Sequence, residues 1–360
     1  MNITIFIGGL SGGGAERVVC NIANYLHLKG HDITFLTMSD DVPTYKIKQG
    51  ILRKSLLEMH ERRCFLLDTI LRLIRFWKIL KSNKTDVYIV MLPVTTIMLL
   101  QFKWMTHAKV IASERVAPST YPLKKQKLLK KLANKADGWV FQTEEECQWY
   151  GRNIDSTKVT IIPNAINPDF IKSVYEGHRR PCIVTAGRMT KQKNQALLLK
   201  AFSTIANDYN DVSIEIYGEG PEKENLLKFA QKLRLSEKVN FCGYTCSLGE
   251  KIKDASLFIL SSDYEGMPNA LMEAMALGLP CISTDCDGGG ARFLIENGKN
   301  GLLVPKGDVD ALADAMKRML SDREFAESCS REAHKICERL NPERIYGEWE
   351  QFIKDVVTVK

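Results

Sequence analysis

Residues 261–284, SSDYEGMPNALMEAMALGLPCIST, admit few folds. The run before them, Ala255-Ser-Leu-Phe-Ile-Leu260, is short, apolar and partly β-branched or aromatic, which predicts a buried strand. Ser261-Ser262-Asp263 breaks that pattern. Pro268 suits a first helical position, residues 269–277 are good helix formers, and Gly278 with Pro280 stops the helix. Residues 281–284 read as a second apolar strand. A strand-helix-strand unit of this kind belongs to a parallel sheet, where ligands gather beyond the carboxyl ends of the strands. Glu265 in the loop and Glu273 near the second helical turn both fall there. A carboxylate can hold a sugar diol with paired hydrogen bonds, although a loop Glu and a helix-surface Glu can equally be merely solvated.

A chain of 360 residues has room for two domains. Its 45% hydrophobic and 26% charged content is that of a soluble globular protein, not of a disordered one. The start, MNITIFIGGLSGG, lacks the cationic region of a signal peptide. The longest apolar tract, residues 88–102, is too short to span a bilayer and is interrupted by Pro93, so it reads as a strand and a buried helix. Ten cysteines without a C-x-x-C pair suit a reducing, cytoplasmic setting, as small buried hydrophobes. Charge is uneven. Residues 1–165 hold 24 Lys and Arg against 14 Asp and Glu, and the remainder 26 against 29. The first half therefore expects an anionic partner, either nucleic acid or the anionic face of a membrane.

In the first half, residues 2–7 read as a strand, GGLSGGG as a loop, residues 15–28 as a helix and 33–37 as a strand. A glycine loop at a helix N-terminus suits an anion, though the spacing is not the dinucleotide fingerprint G-x-G-x-x-G. Asp40 and Asp41 could meet a ribose or simply be solvated loop acids. Residues 53–83 carry apolar side chains at helical spacing with Arg62, Arg63, Arg72, Arg75, Lys78 and Lys81 among them. They predict a helix on the sheet with a solvated basic face, or a basic amphipathic surface with Trp77 at a lipid interface. KKQKLLKKLANK, residues 124–135, repeats the signal with six lysines. Residues 110–113 read as a strand ending at Glu114-Arg115, residues 138–142 as another, and Thr143 as a helix cap. A linker is expected over residues 164–180.

The second half opens with a strand at 182–185, followed by Gly187-Arg188-Met-Thr-Lys-Gln-Lys193-Asn194. Strands are expected at 212–217, before Gly218, and at 239–244, ending on Tyr244. Asp285-Cys286-Asp287 formally reads D-x-D, a metal motif, but follows a strand in the wrong context for one. Gly288-Gly289-Gly290 comes next. Residues 308–320 and 341–357 read as helices.

Glu265 and Glu273 with seven residues between them, the flanking Gly-Met-Pro-Asn and Ala-Met-Ala-Leu-Gly-Leu-Pro, and NGKNGLLV at 297–304 resemble the E-x(7)-E region of retaining glycosyltransferases of the GT-B fold, specifically family four. Gly187-Arg188 with Lys193-Asn194 is similar to that family's G-R-x(4)-K-N signature, and residues 12–17 to its opening glycine loop. Arg115 stands where relatives often have His, and Phe293 where they often have Glu.

The resemblance implies two Rossmann-like α/β domains facing across a cleft. Residues 1–170 with a returning C-terminal helix at 342–360 would form the acceptor side, and 178–341 the nucleotide-sugar side. It implies Arg188 and Lys193 on the donor diphosphate, Glu265 on the donor sugar and Glu273 on the ribose. Gly13, Gly14, Gly187, Gly218, Tyr244, Gly289 and Gly290 would line the donor, and Glu114 and Arg115 would lie on the acceptor side. No metal or cofactor is expected, since fixed cations stabilise the departing diphosphate. The expected reaction moves a sugar from a UDP-sugar to a hydroxyl of a polyprenyl-diphosphate-linked glycan, in the cytoplasm or peripherally on the inner face of its membrane, without nucleic acid. Two rivals are a Rossmann oxidoreductase or epimerase, which lacks its fingerprint, and a basic membrane- or nucleic-acid-binding protein, which leaves Arg188, Lys193, Glu265 and Glu273 without a task.

Overall fold

In the computed structural model, which describes residues 1–82, 84–171 and 174–358, the apolar runs become two all-parallel sheets. The chain divides into two units, Met1–Ala165 with Glu343–Lys360, and Ile166–Pro342.

The first unit holds β1 (Asn2–Ile7), β2 (Asp32–Thr37), β3 (Leu52–Ser55), β4 (Val87–Met91), β5 (Lys109–Ser113), β6 (Gly138–Phe141) and β7 (Val159–Ile161), in the order β3-β2-β1-β4-β5-β6-β7. Its connections include α1 (Gly14–Leu28), α2 (Phe65–Lys81), α3 (Pro93–Gln101), α4 (Leu123–Leu132) and α5 (Glu144–Tyr150). Strands β4 and β6 are buried throughout, as strands covered on both faces must be. An aromatic stack of Trp139, Phe141 and Tyr150 anchors this core.

The second unit orders β8 (Arg180–Ala186), β9 (Ser213–Tyr217), β10 (Val239–Gly243), β11 (Ala255–Leu260), β12 (Cys281–Asp285) and β13 (Leu302–Pro305) as β10-β9-β8-β11-β12-β13. Around it lie α6 (Gln195–Ile205), α7 (Lys223–Lys232), α8 (Leu248–Ile252), α9 (Asn269–Ala276), α10 (Gly290–Leu294), α11 (Val309–Ser321), α12 (Arg323–His334) and α13 (Ile336–Arg339). Its core joins Phe202, Ile214, Ile259 and Met316. The last helix, α14 (Pro342–Thr358), belongs to the first unit. Trp349 is buried there, and His31 meets Glu350 at 3.2 Å.

Several expectations hold. The tract at 88–102 is β4 and the buried α3. Thr143 caps α5, its hydroxyl accepting from the Glu146 amide at 3.2 Å. Gly278, at φ 67°, ends α9 with Gly278 N–H donating to Met275 O and Leu279 N–H to Ala274 O, the paired bonds of a Schellman stop. Pro268 is the residue before α9 rather than its first.

Others fail. The helix expected over 53–83 does not begin at Arg53. Residues 52–55 form the edge strand β3, whose polar sequence LRKS gives no apolar alternation, and Asn83 lies outside the described residues. Nor are all the cysteines buried, since Cys64, Cys242 and Cys246 are exposed.

Candidate active site

In each sheet the strand order reverses once, between β1 and β4 and between β8 and β11. Loops that leave such neighbours diverge and open a crevice. In the second unit, those loops are residues 187–194 after β8 and 261–268 after β11. They carry Arg188, Lys193 and Glu265.

The two loops are stitched together. The Lys193 ammonium donates to Glu265 Oε1 at 2.5 Å, and the Ser262 hydroxyl donates to the same oxygen at 2.7 Å. Ser261 Oγ donates to Lys193 O at 3.1 Å, Gln192 Nε2 to Tyr264 O at 2.9 Å and Asn194 Nδ2 to Asp263 Oδ1 at 2.8 Å. The Asp263 amide donates to Gln192 O at 2.8 Å. Glu265 is buried, so its carboxylate depends on these donors for stabilisation. Asn194 belongs to the G-R-x(4)-K-N motif, whereas Ser262, Gln192 and Asp263 carry no role in the sequence reading. The polar break after β11 was the available signal.

Loops from β9, β10 and β12 extend the network. The Gly187 amide donates to Tyr217 O at 2.9 Å, the Gly218 amide to Gly243 O at 2.8 Å, and the Glu265 amide to Asp287 O at 2.9 Å. A Cβ on Gly218 would strike Gly187 O, and one on Gly290 would strike Gly266 O, so both positions admit only glycine. Gly289 and Gly290 open α10 beside the Glu265 loop, and Glu273 is buried on α9. Arg188 and Tyr244 are exposed. The structure thus gathers Gly187, Lys193, Gly218, Glu265 and Gly290 around one set of strand ends.

The D-x-D acids are engaged elsewhere. Asp285 pairs with Arg292 at 2.8 Å, and Asp287 with Lys306 at 2.7 Å. Phe293 receives the Arg339 guanidinium over its ring at 4.8 Å.

In the first unit, Gly13 precedes α1, and the Glu16 carboxylate lies against it, so the helix N-terminus faces an anion of its own chain. Leu92, after β4 at the order reversal, holds a φ of 73° that a leucine rarely adopts. Nothing in the sequence announces it. Asp41 accepts from the Ser39 hydroxyl, while Asp40 lies 3.7 Å from Arg53.

Glu114 and Arg115 sit at the end of β5, both enclosed. Glu114 accepts from the hydroxyls of Tyr121, at 2.9 Å, and Tyr150. Burial pushes its carboxyl up to about 7 against the opposing pull of those hydroxyls and of Arg115. Glu146, on α5, is likewise pushed up to about 7 by burial. Arg115 is drawn down to about 10 by burial. Its Nη1 donates to Asn164 Oδ1 at 2.9 Å, and Trp349 lies 5.3 Å from its guanidinium carbon.

Two family models match the chain, Glycosyltransferase Family 4 over residues 12–170 and Glycosyl transferases group 1 over 168–336. An uncharacterized glycosyltransferase of Haemophilus influenzae is 25% identical over 354 residues, 94% of this chain and 96% of that protein. The GalNAc-alpha-(1->4)-GalNAc-alpha-(1->3)-diNAcBac-PP-undecaprenol alpha-1,4-N-acetyl-D-galactosaminyltransferase of Campylobacter jejuni is 26% identical over 367 residues, 99% of each chain. Among solved structures, Anabaena Alr3699/HepE in complex with UDP superposes with a TM-score of 0.84 at 16% identity, covering 99% of this chain and 100% of that one. Two parallel sheets with knitted strand-end loops, and family models that together run from residue 12 to residue 336, lead to one conclusion: the chain is a GT-B glycosyltransferase, built from a Family 4 half and a group 1 half.

Proposed function

We propose that this glycosyltransferase moves a sugar from a UDP-sugar to a hydroxyl of a polyprenyl-diphosphate-linked glycan, with retention at the anomeric carbon, at the cytoplasmic side of a membrane. The observation that carries the donor half is the Lys193–Glu265 pair at 2.5 Å, set between the two loops that leave the order reversal of the second sheet. Lys193 and the exposed Arg188 supply fixed positive charge for a departing diphosphate, whose charge rises as the glycosidic bond breaks. Glu273 takes the ribose diol, and Glu265 takes donor-sugar hydroxyls. Glu265 is buried and shared between Lys193 and Ser262, an arrangement that suits holding a sugar better than attacking one. No protein nucleophile is therefore assigned. The acceptor hydroxyl attacks from the face the leaving phosphate vacates, and that phosphate takes its proton. Gly187, Gly218, Tyr244, Gly289 and Gly290 line the donor in the second unit. The chemistry needs no metal, because the cations are residues.

The acceptor half rests on the Campylobacter jejuni relative, whose name specifies an undecaprenyl-diphosphate-linked glycan, and on the basic excess of residues 1–165. The N-acetylhexosamine that enzyme transfers is the first donor sugar to try.

The test is UDP release by the purified protein across a panel of UDP-sugars, with membrane extract as acceptor. Acceptor-dependent release with one sugar is expected. Lys193→Ala and Glu273→Ala should each lower kcat/KM by roughly 10- to 150-fold, the worth of one hydrogen bond to a charged group. Full activity in either variant, with circular dichroism unchanged, would sink the donor assignment.

A further inference from the structure

Helix α2 carries apolar side chains on two faces, one to the core and one to the outside. Its two arginines are half-buried and reach back to the body of the unit. Arg72 Nε donates to Met38 O at 3.1 Å, while Arg75 Nη1 donates to Leu56 O at 3.2 Å and to Glu61 at 2.6 Å. Of its apolar side chains only Phe76 and Leu80 are buried. Leu66, Ile70, Leu73 and Trp77 recur at helical spacing on one outward stripe, flanked by Phe65, Leu67 and Ile74, and all seven are exposed. Phe65 is 84% exposed and Leu66 71%. The single turn Lys103–Met105 packs against α2 and bears Trp104, 79% exposed. A helix on the surface of a soluble protein presents the opposite face to water, and a contiguous exposed apolar patch marks a contact surface.

Charge decides what covers it. Residues 58–81 contain Arg62, Arg63, Arg72, Arg75, Lys78 and Lys81 against Glu58, Glu61 and Asp68, and Glu61 is taken up by Arg75. Lys81 lies 4.1 Å over the Trp77 ring, at the C-terminal end of the stripe. Beside the helix, Arg53, Lys54, Arg75 and Lys78, with Asp40 and Glu58, line an open cavity of about 610 Å³. A second copy of this helix would set like charges against each other. An anionic headgroup layer over an acyl interior matches both the cations and the stripe. Among the described residues no helix is long and apolar enough to cross a membrane, so the helix would lie in the interface plane.

We propose that α2, with Trp104 beside it, docks this protein on an anionic bilayer by sinking its apolar stripe to the headgroup–acyl boundary. The inference goes beyond the donor and acceptor assignments and does not depend on them, since vesicle binding and UDP-sugar turnover are measured separately.

The test is flotation of the full chain with vesicles of phosphatidylcholine alone and of phosphatidylcholine with phosphatidylglycerol. The wild type should float with the anionic vesicles. Ile70→Glu/Leu73→Glu replaces exposed residues and leaves the core alone; it should lower the partition coefficient at least about tenfold, with melting temperature unchanged. Lys78→Glu/Lys81→Glu should abolish the preference for phosphatidylglycerol. A wild type that stays in the aqueous fraction with both vesicles overturns the proposal. So does a wild-type dimer in light scattering that the Ile70→Glu/Leu73→Glu variant converts to monomer while flotation is unchanged, because a second copy would then own the stripe.

Discussion

Glu146 is an acid placed where its ionised form is poorly served. Its Oε2 accepts from the Gln142 amide at 2.9 Å, while Oε1 is buried without a hydrogen-bond partner. Burial, with the nearby Glu114 adding to it, raises its carboxyl from 4.5 to about 7. Between those two values the native state binds more protons than the unfolded chain, so stability falls as pH rises across that window and is level above it. Glu146→Gln keeps the one hydrogen bond and removes the charge. It should be more stable than wild type by about 1–3 kcal/mol at pH 8, with the difference fading towards pH 4.5, as read from urea midpoints at several pH values. At this scale the sequence was informative where residues act as a motif. Lys193 and Glu265 are 72 positions apart yet were assigned to one site, and they touch. Glu114 and Arg115 could be placed at a strand end but not seen to be enclosed, because enclosure comes from Tyr121, Tyr150 and Trp349, one in a loop and two on helices distant in sequence.

Helices show the same division. The period of α2 was visible, but its direction was not. Arginine stems reach the carbonyls of Met38 and Leu56, and the helix turns only Phe76 and Leu80 fully to the core. Strand β3 was missed because its partner β2 supplies the pairing that its own polar residues do not signal. Helix α14 was legible from its amphipathic pattern, and its hold on the first unit can be measured. Trp349 is fully buried there and lies over Arg115. Trp349→Ala should cost about 3–5 kcal/mol of stability, through the cavity it leaves, in denaturant unfolding. A loss under about 1 kcal/mol would mean that α14 contributes little to that unit.

Among the described residues one hydrophobic cluster packs on the first sheet and another on the second, and the chain divides into two units. Scanning calorimetry should therefore resolve two transitions, and UDP should raise the one belonging to the second unit by about 2.7 kcal/mol at a hundred times its dissociation constant. Glu273→Ala should remove that gain; a shift that survives the substitution would place the nucleotide elsewhere. Two units were expected from the chain length and the family resemblance, whereas the loop-to-loop stitching was not, because much of it ends on backbone carbonyls that no residue type announces. That stitching bears on any ligand received at these strand ends. Gly218 lies against the Gly187 carbonyl and Gly290 against that of Gly266 with no room for a side chain between, and amide bonds to Tyr217 O, Gly243 O and Asp287 O tie each loop to its neighbour. A ligand arriving at such a socket finds its shape already made and gives up little freedom of the chain to be held. Affinity there is limited by fit rather than by folding, and a single added methyl group at either glycine would spoil it from within.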